Sequence, residues 1–250
     1  MIILDFTVSK FLVVTGKPLQ ESRRAEIIDV TNPNLNCRIQ DFPIELWYST
    51  GGFTKYGPLI CSGWDKNHDE ISTCYQLTEE GKFQRFQQSL ERERIGTASI
   101  VTSTGDLWFL GGWMDGGRNM SIPLNYTELI SYGADSEVTA KFKTVKPTLP
   151  KVLSNHCISK IDSTRAILTG TATYYLNLID FKIWEGPKMR QGRNQHGCGS
   201  FEFNEKRVTI VVGGQGYSHS YLDSTEYLID TPNSQWQEGN KSENFYYHLQ

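Results

Sequence analysis

A β-propeller, an all-β ring of small antiparallel sheets, is the fold class this 250-residue chain predicts. A short apolar run ending in glycine returns five times, at 11–16 (FLVVTG), 59–63 (LICSG), 107–112 (LWFLGG), 166–170 (AILTG) and 209–214 (TIVVGG). The closing glycines, Gly16, Gly63, Gly112, Gly170 and Gly214, lie 47, 49, 58 and 44 residues apart, a period that marks a repeat architecture. Each interval has room for four strands separated by turn residues. One such sheet cannot bury both its faces alone and must stack against its neighbours.

The units span about 1–42, 45–87, 94–146, 153–186 and 195–238, and 239–250 starts a partial sixth. The fifth shows the pattern most clearly: a first strand over 195–203, a second over 207–212, a third over 224–229 (STEYLI) and a fourth around Trp236. Paired glycines such as Gly111-Gly112 and Gly213-Gly214 close the second strand where the backbone needs a positive φ or a close approach. Residues 82–94 carry a helix-like spacing of Phe83, Phe86 and Leu90. Their place in the repeat makes them a fourth strand followed by a charged link.

These residues resemble the kelch repeat. The resemblance rests on Gly213-Gly214, Ser224-Thr-Glu226-Tyr227 and Trp236; on Gly111-Gly112, Thr127-Glu128 and Tyr132; and on Trp184, Pro187, Met189 and Arg193 ahead of His196. The second and fourth units keep one glycine each, and the first lacks the fourth-strand Trp. Kelch-type rings usually have six or seven blades, so the resemblance implies either part of a longer protein or a closed five-bladed ring.

Composition narrows the function. With 25 basic and 28 acidic residues, the net charge is −3 and the cations are scattered, which gives no track for a nucleic-acid backbone. No apolar run is long enough to span a bilayer, and residues 1–4, followed at once by Asp5, read as a strand. His68, His156, His196, His219 and His248 show no metal-ligand spacing, so neither metal nor cofactor is expected. His156-Cys157 and His196-Gly-Cys198 recur in register, which favours a structural task. Copper oxidases of the galactose oxidase kind also use kelch-type propellers, but their ligand constellation has no counterpart here. Residues 103–106 (STGD) form a Gly-Asp hairpin turn, and 115–117 (DGG) a solvated loop without a phosphate-binding Lys.

Five cysteines, Cys37, Cys61, Cys74, Cys157 and Cys198, leave at least one thiol unpaired within the chain. A Cys61–Cys74 bridge is geometrically conceivable, while buried free thiols suit an intracellular repeat protein. Sequons at Asn119, Asn125 and Asn240 tilt slightly the other way. The expectation is a cytoplasmic protein, with secretion as the alternative.

Function is therefore expected in the loops. Successive strands alternate in direction, so second-to-third loops and fourth-to-first links emerge on one face. That face would gather Trp64, His68, Arg94, Trp113, Met114, Arg118, Met120, Arg193, Tyr217, His219 and Tyr221. Aromatic, Met and Arg residues are those enriched at interface centres. The expected function is a non-catalytic module for a protein partner, with no small ligand. The kelch resemblance implies a ubiquitin-ligase adaptor or a cytoskeletal binder. The alternative is an extracellular propeller that binds or acts on carbohydrate.

Overall fold

The computed structural model describes residues 2–7, 10–14, 23–115, 121–132, 141–145, 148–218 and 220–241. It is an all-β five-bladed propeller. Blade 1 holds β1 (Ile2–Thr7), β2 (Lys10–Val14), β3 (Ala25–Asp29) and β4 (Cys37–Arg38), with a 3-10 turn at Pro33–Leu35. Blade 2 holds β5 (Thr50–Thr54), β6 (Gly57–Trp64), β7 (Glu70–Leu77) and β8 (Phe83–Ser89), so the helix-like 82–94 segment contains a strand, as the repeat requires. Blade 3 holds β9 (Ala98–Val101) and β10 (Leu107–Leu110), then a separate ribbon of β11 (Trp113–Asp115) and β12 (Ser121–Pro123), then β13 (Thr127–Ser131) and β14 (Lys141–Val145). Blade 4 holds β15 (Cys157–Lys160), β16 (Arg165–Thr169), β17 (Thr173–Asn177) and β18 (Ile183–Glu185). Blade 5 holds β19 (Gly197–Phe203), β20 (Lys206–Val212), β21 (Thr225–Ile229) and β22 (Gln237–Glu238). Every ladder is antiparallel, in the simple up-and-down order.

Strand alternation sends successive side chains to opposite neighbours, and among the described residues the core forms four slabs, one between each pair of blades consecutive in sequence. Leu12 and Val14 meet Ile60 and Phe83 between blades 1 and 2. Leu59 meets Leu107 and Phe109 between blades 2 and 3. Trp108 and Leu110 meet Ala166 and Leu168 between blades 3 and 4, and Ile167 meets Val211 and Trp236 between blades 4 and 5. β6, β10 and β16 are thus buried on both sides, which is why their sequences read as continuous apolar runs. The alternate side chains of β20, Val208, Ile210 and Val212, stay partly exposed.

The second strands end in paired left-handed residues. Gly111 and Gly112 have φ of 60° and 102°, Gly213 and Gly214 of 64° and 93°. Blade 2 builds the same turn with a single glycine, because Ser62 takes the first left-handed position (φ 61°) ahead of Gly63 (φ 114°). Space enforces the second position: a Cβ on Gly112 would stand 2.7 Å from the Ile95 carbonyl, and one on Gly63 2.4 Å from that of Trp47. Gly170 has no left-handed φ and answers instead to close approach, with the His156 Cβ 3.2 Å from where its own Cβ would be. Gly16 lies outside the described residues.

A second left-handed series lies two residues ahead of each first strand, at Tyr48, Gly96, Asn155 and Gln195 (φ 52°, 57°, 48° and 52°). The backbone N–H of each of the last three donates to the carbonyl of its predecessor, at 3.3, 2.7 and 2.7 Å. These bonds stitch blades 2 to 5 together on one face.

Two disulfides are present among the described residues, one within a sheet and one between sheets. Cys61–Cys74 joins directly opposite residues of β6 and β7, and Cys157–Cys198 joins the innermost strands of blades 4 and 5. The expectation of buried free thiols fails at these four positions. Cys198 lies one residue beyond the equivalent of Cys157, so strand alternation turns the two side chains toward each other from neighbouring first strands. Cys37 is free and exposed.

Candidate functional site

The links and the second-strand exits meet on one face, as strand alternation requires. Trp47 and Trp64 exchange backbone hydrogen bonds (2.9 and 2.8 Å), Ile95 and Trp113 do the same (2.9 and 2.8 Å), and so do Asn194 and Gln215 (3.0 and 2.8 Å). This bracket fixes Trp64 and Trp113 at equivalent points of adjacent blades. Their side chains are half-buried.

On blade 2 an aromatic cluster forms around Trp64. Tyr48 meets it edge-on at 5.3 Å, and His68 lies 5.9 Å from Trp64 and 5.0 Å from Trp47. Tyr48 is 46% exposed, and its left-handed backbone turns the ring outward. His68 is exposed on a tight loop whose carboxylate, Asp65, accepts the backbone N–H of Asn67 and of Asp69. Sequence reasoning chose Trp64 and His68 and missed Trp47 and Tyr48. The signal lay in their place in the link, the step that feeds the next first strand on the same face.

The blade 3 side supplies Trp113, Met114 and Arg92. The Arg92 guanidinium reaches the Met114 sulfur at 3.8 Å and lies over the Tyr126 ring at 5.2 Å. A seam of carboxylates joins the two blades: Glu70 accepts the backbone N–H of Asp115. Burial, with repulsion from Asp115 and Glu93, outweighs hydrogen bonds from the Asp115 backbone and the Trp64 side chain and raises the Glu70 carboxyl above its ordinary range. Of the 115–117 segment, expected to be a solvated loop, Asp115 pairs with Ser121 in the ribbon, and 116–117 lie outside the described residues. Arg118, Met120 and His219 lie outside the described residues.

Two expected binding residues belong to the core. Arg94 and Arg193 are both fully buried. Arg94 pairs with the buried Glu128 and donates to the Gly111 carbonyl (3.3 Å). Arg193 pairs with Glu226 at 2.6 Å and donates to the carbonyls of Gly213 and Ser224, both at 2.9 Å. Each carboxylate also caps the link three residues before its arginine: Glu128 takes the Glu91 N–H (2.7 Å), and Glu226 the Arg190 N–H (2.7 Å). The arginines therefore clamp the end of the second strand to the third strand and the link. In blades 2 and 4 the equivalent places hold Leu46 with Tyr75 and Leu153 with Tyr174, packed in the slabs.

Tyr217 and Tyr221 are exposed at 74% and 57% on blade 5. The Tyr217 hydroxyl donates to the Thr171 carbonyl (3.4 Å), and its ring covers Gly192. They form a second patch, over blades 4 and 5. Trp236 is buried and its indole N–H donates to the Pro187 carbonyl (2.9 Å), a structural role as the repeat implies. Trp184, expected to be structural, is 41% exposed on the outermost strand of blade 4.

His156 and His196 are buried at the tops of β15 and β19. Burial lowers the His156 pKa to about 4. Burial, with the charges of Arg193 and His156 behind it, lowers that of His196 to about 3. The His196 Nε2 is 2.9 Å from the Thr169 hydroxyl. Among the described residues no three His, Cys, Asp or Glu side chains gather as a metal-binding group.

No protein-family model matches the chain, and no curated protein matches it. Among solved structures it resembles that of YjhT, with a TM-score of 0.77 at 10% sequence identity, over 97% of this chain and 83% of that one. At that identity the likeness concerns the fold alone. No helix among the described residues is long and apolar enough to cross a membrane.

Proposed function

We propose that the chain is a non-catalytic interaction module of kelch kinship, and that the face over blades 2 and 3 takes a protein partner. The observation that carries this reading is the cluster of Tyr48, Trp64 and His68 facing Met114 and Arg92. These are interface residue types, partly exposed, on backbone pinned by the brackets between each link and the second-strand exit of its blade. The Glu70–Asp115 seam between them suits a partner that brings a cation to the centre. Two disulfides favour an oxidising compartment, and with it an extracellular or luminal partner over a cytosolic ubiquitin-ligase substrate or a cytoskeletal filament.

The test is affinity capture from the secreted fraction of the source cells. The wild-type chain is compared with a Tyr48→Ala/Met114→Ala variant and with a Phe203→Ala control on the far end of β19. A partner retained by wild type and control should lose about 1–4 kcal/mol of affinity to the double variant. Equal retention by all three chains defeats this choice of face.

A further inference from the structure

We propose that the groove on the outer rim between blades 4 and 5 binds a neutral carbohydrate, with Trp184 as the stacking platform. The groove is shallow and open, with a volume of about 520 Å³ between β17–β18 and the turn joining β21 to β22. Trp184 stacks on Tyr175 with centroids 5.8 Å apart and planes 30° apart, and Tyr175 in turn packs on the slab between blades 4 and 5. The indole is thus supported from behind by the core while 41% of the residue faces solvent. Holding it in place costs little side-chain entropy on binding.

Apart from Pro187 and Pro232 the rest of the lining is polar, and its ionic part is held in place. The Arg165 guanidinium is gripped on one side by Asp162 (2.8 Å) and on the other by Asp230 (2.7 Å). The backbone of Asp230 is itself anchored by donation to the Arg207 carbonyl at 2.8 Å. Across the groove, the β21–β22 turn places Asn233 in a left-handed conformation (φ 62°), and Asn233 and Gln235 are exposed with both amide donors and acceptors. An aromatic plate flanked by amides and a fixed Arg–Asp pair matches a pyranose. The ring carbons of such a sugar offer an apolar C–H face, and its equatorial hydroxyls radiate toward the rim.

Charge selects among sugars. One guanidinium shared by two carboxylates leaves this cluster net negative, so a phosphate or carboxylate ligand meets repulsion from it. The ligand class is therefore a neutral oligosaccharide. This departs from the expectation that the chain takes no small ligand, and the groove is separate from the blade 2–3 face.

The experiment titrates the full chain with maltohexaose, cellohexaose, chitohexaose and mannohexaose, and with lactose against sialyllactose, following tryptophan fluorescence and the indole N–H signals in 15N-correlated NMR spectra. The expected result is saturable binding of at least one neutral member, with the Trp184 indole signal moving. Trp184→Ala should weaken that binding about tenfold or more while leaving the melting temperature unchanged. Asn233→Ala/Gln235→Ala, a surface change, should weaken it several-fold and guards against any instability of the Trp variant. Silence from the whole panel, undiminished binding by both variants, or sialyllactose binding more tightly than lactose overturns the proposal.

Discussion

Replacing Arg94 by Leu, the residue that blades 2 and 4 carry at the equivalent place, should be severely destabilising alone and nearly harmless in company. Alone it leaves the Glu128 carboxylate in a fully buried site with a single remaining donor, the Glu91 N–H at 2.7 Å. Breaking a buried ion pair from one side costs about 3–5 kcal/mol, a large part of the stability of an ordinary domain. Glu128→Tyr alone strands the guanidinium, which keeps the Gly111 carbonyl and the Tyr126 ring 4.5 Å away but loses its buried carboxylate. That also costs about 3–5 kcal/mol. The double variant Arg94→Leu/Glu128→Tyr recreates the Leu153–Tyr174 pairing of blade 4 at similar total volume, and should fall within about 1–2 kcal/mol of wild type. Urea unfolding of the four proteins closes the cycle, with a coupling energy of about 4 kcal/mol or more. Additive losses would show that the Arg–Glu pair is not a unit interchangeable with Leu–Tyr, and would undo the argument that moved Arg94 from the binding face to the core.

Acid should unfold the protein through its two buried histidines. Their folded pKa values are lowered to about 4 and about 3, so the unfolded chain binds more protons below about pH 6.5 and stability falls from there downward. By pH 5 each histidine should have removed about 2 kcal/mol. Melting curves between pH 7 and 5 should therefore shift steeply for wild type and less so for His156→Gln; a flat wild-type profile refutes the assignment. Removing the inter-blade disulfide by Cys157→Ser/Cys198→Ser, which reopens a separation of 41 residues, should cost about 4 kcal/mol on the loop-entropy model, against about 3 for Cys61–Cys74 with its separation of 13. Calorimetry under non-reducing conditions ranks the two, and an inverted order counts against the inter-blade bridge. Ser62→Gly should raise stability by about 0.5–1 kcal/mol, because it relieves a left-handed non-glycine residue and removes a buried hydroxyl without a hydrogen-bond partner. Gly214→Val should lower it by about 2 kcal/mol or more, since φ is 93° and a Cβ would stand 2.5 Å from the Asn194 carbonyl.

The blades were legible in the sequence because stacking on both sides writes a simple signature: the second strand of an inner blade must be apolar throughout and must stop at glycine. That is why 107–112 and 166–170 announced themselves, and why the repeat correctly overruled the local spacing at 82–94. Chemistry that depends on pairs of blades was harder to see. Cys157 and Cys198 stood near the same point of successive units, yet such recurrence does not say what lies beside it. Their bond follows from a one-residue offset that faces the two side chains across neighbouring first strands, a fact of the ring and not of the repeat. The face lost Arg94 and Arg193 for a related reason. Arginine in a link looks like an interface residue until the glutamate 34 or 33 positions later is seen to sit across from it.

The two ionic clamps also explain the uneven degeneracy of the repeat. Units 3 and 5 combine a Gly-Gly turn, a Thr-Glu third strand and a link arginine, and in both the guanidinium binds the carbonyl of the first glycine as well as the glutamate. The three elements form one device, so retaining any one of them alone leaves a buried group unmatched. Units 2 and 4 lack the arginine and the glutamate together, fill the space with Leu and Tyr, and keep one glycine each. Ser62 can then hold a left-handed turn, and Gly170 can abandon one, because no guanidinium needs the carbonyl at that point. Ionic and apolar blades accordingly alternate from blade 2 to blade 5. The cluster of Tyr48, Trp64 and His68 stands on an apolar blade, where the link carries Leu46 inward and is free to present Trp47 and Tyr48 to the outer face.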